Sequence, residues 1–115
     1  MDDRININVS TVDYDKTSKA LIHQLSMLEE MVHSKEDFAM TDSEFAFGWH
    51  FFVLSVNRSL VQKLVEMMGV DFKILKGKSV EKKFLAWLTK NIENKSPRFK
   101  LAIKEEMESS KFGIF

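Results

Sequence analysis

Chain-breaking residues are nearly absent from this sequence. One proline and four glycines are spread over 115 residues. These two residue types interrupt helices and make tight turns, so their scarcity predicts long helices joined by few connections. The length corresponds to about one domain. Apolar residues make up 44% of it, with ten Phe and two Trp. That is too much apolar mass for a solvated coil and enough to build a core.

The composition also closes off several functions. With no cysteine, the chain has no disulfide framework, thiol nucleophile or thiolate metal site, and a cytoplasmic location is expected. The opening residues, Met1-Asp2-Asp3-Arg4, are charged and lead into no apolar stretch, so no secretory leader is expected. The longest apolar run, Phe45 to Leu54, is interrupted by Gly48 and His50. It falls far short of the ~20 residues needed to span a membrane.

Periodicity predicts the elements. Ile5, Ile7 and Val9 alternate with polar residues over 4–12, the pattern of a half-buried strand. Its nearest partner in sequence is 70–75, and the alternative is an extended arm over residues 1–16 lying on helices. A first helix is expected over 18–34, capped by Asp15 or Thr17, with Leu21, Leu25, Leu28 and Val32 as its core stripe. Ala20, Met27, Met31 and Ile22 widen that arc, which predicts a further neighbour. Thr41-Asp42-Ser43-Glu44 fits a capping box, with Met40 and Phe45 placed as a hydrophobic staple. It predicts a second helix running to Met68 and ending at Gly69, with Trp49 in the core. A third helix follows Ser79 and runs to Glu93. Ser96-Pro97 predicts the start of a fourth, carrying Phe99, Ala102, Ile103 and Met107 inward. The apolar tail 111–115 is expected to dock on the domain or on another protein. The expected fold is therefore mainly α. It is a compact four-helix-bundle-like single domain over 1–115, decorated at most by a two-stranded β element from 4–12 and 70–75.

No motif for catalysis stands out. Glu30-Met31-Val32-His33 matches the Glu-x-x-His pair of di-iron bundles, but that chemistry takes two such pairs and two further glutamates. Phe47 stands where an acid would precede His50. Glu30, His33 and His23 read as a solvated helix side, and His50 as a core-edge histidine with no acid or nucleophile near it in sequence. Neither Gly69 nor Gly77 belongs to a phosphate-binding loop. No metal, no cofactor and no enzymatic activity are expected.

Charge is the informative feature. The net charge is zero, yet residues 73–104 hold ten basic residues against two acidic ones. Such a segment either pairs with the acidic N-terminal half or forms a patch for phosphates or an acidic protein. Lys82, Lys83, Lys90, Arg98, Lys100 and Lys104 are the candidate patch. Met27 and Met31 are the candidate protein interface, since methionine adapts to irregular surfaces. The resulting expectation is a non-enzymatic interaction protein that binds another macromolecule, most simply a protein, through a helical face, with a homodimer as one form. The alternative is a nucleic-acid-binding accessory protein using 73–104.

Overall fold

The computed structural model describes residues 3–35, 37–96 and 98–105. In chain order its elements are β1 (Arg4–Thr11), α1 (Tyr14–Met31), β2 (Phe38–Met40), β3 (Glu44–Ala46), β4 (Trp49–Asn57), α2 (Arg58–Met68), α3 (Val70–Lys73), α4 (Val80–Ile92) and β5 (Phe99–Ile103). The molecule is an α+β fold with a five-stranded antiparallel sheet. This overturns the expectation of a mainly α four-helix bundle.

The alternation over 4–12 is a strand, with Ile5, Ile7, Val9 and Thr11 buried. Its partner is not 70–75, whose first four residues form α3 and bury Phe72. Instead β1 lies between β4 and β5, antiparallel to both. β2 and β3 both pair with the far side of β4, also antiparallel. Since β1 and β2 each run opposite to β4, they are parallel to one another, and β4 is inserted between them. β4 and β5 are likewise parallel, with β1 between them. Two β-α-β units are thus each split by a strand of the other, which is the split β-α-β plan.

The expected second helix is where sequence and structure part. Thr41 to Glu44 cap no helix, because the run from Trp49 to Asn57 buries alternate residues, Phe52, Leu54 and Val56. Aromatic and β-branched residues suit a pleated, half-buried surface. The hairpin turns at Phe47-Gly48, both left-handed at φ 54° and 83°. This is the two-residue turn whose twist matches that of the flanking strands. Residues 41–43 face only Phe52 and Val53 across the pair, so the edge carries a bulge. Thr41 fills it: its N–H donates to the Val53 carbonyl at 2.9 Å, and its Oγ1 accepts from the Val53 N–H at 2.8 Å.

Only the second half of the expected helix is helical. α2 starts at Asn57, whose side chain accepts from the Ser59 N–H, and stops at Gly69 (φ 59°) as expected. α4 follows Ser79, also as expected, with that side chain accepting from the Lys82 N–H. α1 begins earlier than expected, capped by Asp13 instead of Asp15 or Thr17. The expected fourth helix is β5, with Pro97, Met107 and the tail 111–115 outside the described residues. Phe99 and Ile103 sit four apart, a spacing that fits one face of a helix or of a strand. The unpaired side of β1 decides for the strand, because its backbone groups need a partner.

A single cluster joins Ile5, Ile7, Val9, Phe52, Leu54 and Val56 of the sheet to Leu21, Leu25 and Leu28 of α1, Leu60 and Leu64 of α2, and Phe84, Leu88 and Ile92 of α4. The helices therefore cover one face of the sheet. We expect Thr41→Val to cost about 1 kcal/mol through the orphaned Val53 N–H. Amide hydrogen exchange should then quicken at Val53 and leave α2 unchanged. Faster exchange across α2 would mean that Thr41 acts on the helix after all.

Candidate functional site

Directly paired residues of neighbouring strands project from the same face. The register therefore gives the composition of the face that the helices leave uncovered. One row is Glu44, Phe51, Ser10 and Lys100, crossing β3, β4, β1 and β5. The next row toward the sheet interior is Val53, Asn8 and Ala102, and beyond it lie Ala39, Ser55 and Asn6. At the hairpin end Trp49 is half-buried and Arg98 exposed, with the guanidinium 5.7 Å from the centre of the Trp49 ring. Phe51 is 42% exposed.

The backbone at Arg98 is fixed from behind. The Val12 N–H donates to its carbonyl at 3.1 Å. Thr11 Oγ1 reaches the same carbonyl at 3.3 Å and Thr17 Oγ1 at 2.6 Å. Thr17 in turn meets Ser96 Oγ at 2.6 Å. This chain of hydroxyls, buried at Thr11 and Thr17, ties β1, α1 and the entry to β5 together, so Arg98 is presented from a rigid base.

The two ends of the open face differ. At the polar end Arg4 Nε donates to Ser55 Oγ at 2.6 Å, and Asn6 Nδ2 donates to Glu105 at 3.0 Å. At the hairpin end the side chains are aromatic. Phe47 is 99% exposed at the tip. Phe45 pairs with His50 and so belongs to the helix-covered side, exposed at its edge, with the ring centres 4.7 Å apart and Tyr14 6.1 Å from His50. Trp49 is thus no core ring, contrary to the sequence expectation. The core indole is Trp87, stacked on Phe84 at 5.9 Å.

The predicted basic patch is divided. Lys82, Lys83 and Lys90 belong to α4, in the helical layer. Lys83 Nζ donates to the carbonyls of Lys73 and Leu75 at 2.8 and 2.7 Å, closing the end of α3. Arg98 and Lys100 lie on the opposite, open side, and Lys104 directly follows β5 and is half-buried. Met27 and Met31 stand on the solvent side of α1, 41% and 48% exposed. No group of His, Asp and Glu among the described residues is placed to hold a metal ion. No described helix is long and apolar enough to cross a membrane. Sequence reasoning missed Phe51 and Trp49. The available signal was parity, since they alternate with Phe52, Leu54 and Val56 and share their side with the polar Ser55 and Asn57.

A shallow groove of about 450 Å³ lies elsewhere, at the start of α2 and α4, between Ile5, Val61, Val80 and the Arg58–Glu81 ion pair. That pair, at 2.7 Å, joins the two helices. Its hydrogen bond from Arg58 holds the Glu81 carboxyl below its ordinary value of 4.5, a backbone hydrogen bond at Glu81 adds to this, and partial burial opposes it.

No family model, curated protein or solved structure matches this chain.

Two predictions follow from these features. Phe47→Asn should stabilise the protein by about 1 kcal/mol, because Asn tolerates the left-handed turn and the exposed ring gives up no packing. Denaturant melts check this, and a destabilised variant would show that the ring packs. Because the Glu81 pKa is depressed in the folded state, the ion pair contributes stability above the unfolded value and loses it as pH falls through the folded one. Both side chains are partly exposed, so the contribution at neutral pH is below about 1 kcal/mol. In Arg58→Ala, an NMR titration should find the Glu81 midpoint moved up toward 4.5.

Proposed function

We propose that this chain is a non-enzymatic binding module that contacts another macromolecule through the open face of its sheet. One observation carries the reading. Phe51 stands on that face beside Trp49, with Lys100 in the same cross-strand row and Arg98 over the Trp49 ring, and no described element packs over them. Large exposed aromatics next to cations are the side chains that anchor macromolecular contacts. The helical surface proposed from sequence has less in its favour, since its cations are divided and Lys83 already serves α3. The cytoplasm is the compartment we assign, where a chain without cysteine has no disulfide to lose.

A second reading rests on Met27 and Met31. Both are exposed on α1, and adaptable methionines suit a two-fold contact between copies of the chain. Sedimentation of the wild type against Met27→Lys would reveal it as a dimer that the substitution dissociates.

The two surfaces are separated by photo-crosslinking in the native host. A benzophenone amino acid at position 51 should form adducts with another macromolecule, whereas the same group at position 22 on α1 should form few. Adducts from position 22 alone would overturn the sheet-face reading.

A further inference from the structure

We infer that the occupant of the open face is a single strand of nucleic acid, with a base stacked on Phe51 and its flanking phosphates held by Lys100 and Arg98. The inference rests on the sheet-face reading above and adds the partner.

The register places two tracks side by side. Trp49 and Phe51 are two residues apart on β4, and Arg98 and Lys100 are two residues apart along β5 and its entry. Each step is roughly 6.8 Å along the strand. β4 and β5 are parallel and in step, because Ser10 pairs with both Phe51 and Lys100. With β1 between them, the β4 and β5 backbones are two strand spacings apart, roughly 10 Å. A nucleotide has the same division, an aromatic base at one end and an anionic phosphate at the other. A strand lying along the sheet can therefore set a base on Phe51 and a phosphate against Lys100, while the Trp49 ring is already met by Arg98. Ser10 and Asn8 lie between, where a sugar would pass.

Three further features narrow the class. A base inside a duplex has both faces covered by its neighbours, so a ring in a flat sheet can stack only on an unpaired base. Glu44 is paired with Phe51 on the side away from Lys100. There it repels phosphate and directs the backbone toward β5. Its carboxylate is also an acceptor for the exocyclic amine of a stacked base. Cytosine and adenine offer such an amine and thymine does not. An acidic peptide would satisfy Lys100 and Arg98 but would bring a negative chain past Glu44 and leave Phe51 without an aromatic partner. Trp49 keeps Arg98 against the sheet through the cation–π contact at 5.7 Å, so the guanidinium lies toward β4, near the end of the sheet where Phe51 stands.

The test is fluorescence anisotropy on the full chain, with short labelled oligonucleotides of cytosine or thymine and a duplex of the same length, at two salt concentrations. The single strands should bind more tightly than the duplex, and cytosine more tightly than thymine. Phe51→Ala should lower affinity about tenfold, as one stacked base is lost. Lys100→Gln should reduce the salt slope by about 0.7, as one phosphate contact is lost from a single strand. Circular dichroism of both variants confirms that they fold. Equal binding of duplex and single strand, or a Phe51→Ala variant of unchanged affinity, would overturn the inference. The crosslinks from position 51 separate the two levels. Adducts whose size nuclease leaves unchanged would leave the sheet face as the binding surface and remove nucleic acid as its occupant. Nuclease-sensitive adducts would support both.

Discussion

Strand β1 is hydrogen-bonded along both edges, and the rest of the molecule follows from that. Its inner residues Ile5, Ile7 and Val9 are almost fully buried, so its backbone groups are cut off from water and must be paired. The partners come from distant parts of the chain, β4 in its middle and β5 near its end. Reaching β4 requires a crossing through α1, and reaching β5 requires another through α2 to α4. Both crossings bury their apolar residues in the same cluster. With every described helix on one side, no described element packs over the other side of the sheet. The open face is therefore a consequence of how β1 is satisfied, and the residues on it are free to be selected for what they touch.

This dependence also explains what could be read in advance. β1, α1 and α4 were legible because each carries one clear period, and the Ser79 and Gly69 boundaries because caps act locally. The stretch from Thr41 to Asn57 was not. Thr41-Asp42-Ser43-Glu44 is a sound local signal for a helix start, and Phe45 to Leu54 is apolar on every side, which fits a buried helix as well as a central strand. What decides between them is the vacant edge of β1, a partner about fifty residues away. The same holds for Phe99–Ile103. At the candidate site, Arg98 and Lys100 were legible as solvent-facing cations, since helix and strand readings agree on that. Trp49 was assigned to a core that exists only if β4 is a helix, and Phe51 was not singled out.

Phe47 shows a cost that the fold does not recover. A bulky residue in the left-handed region is unfavourable by about 1–2 kcal/mol relative to glycine, and this ring packs on almost nothing in return. Asn-Gly would make the same turn without strain. Backbone strain at a loop tip concentrates where a surface is used for contact. Phe45, Phe47 and Phe51 all belong to this hairpin and all are exposed. At the far end of the sheet, Arg4, Ser55, Asn6 and Glu105 form hydrogen bonds to one another. One end of the open face is thus closed by its own polar contacts, and the other exposes Phe51.

The zero net charge conceals a directional field. The basic segment 73–104 is divided by the fold, with α4 in the helical layer and β5 bordering the open face, so its ten positive residues never form one patch. In the row nearest the hairpin, the open face retains a gradient across four strands, from Glu44 on β3 to Lys100 on β5. Exposed charges of this kind add little affinity each, but they fix the orientation of a bound partner and penalise the reversed one. A polymer whose charge runs along one side and whose aromatic groups lie along the other is oriented by such a gradient. A uniformly anionic partner would be attracted at one edge of the sheet and repelled at the other.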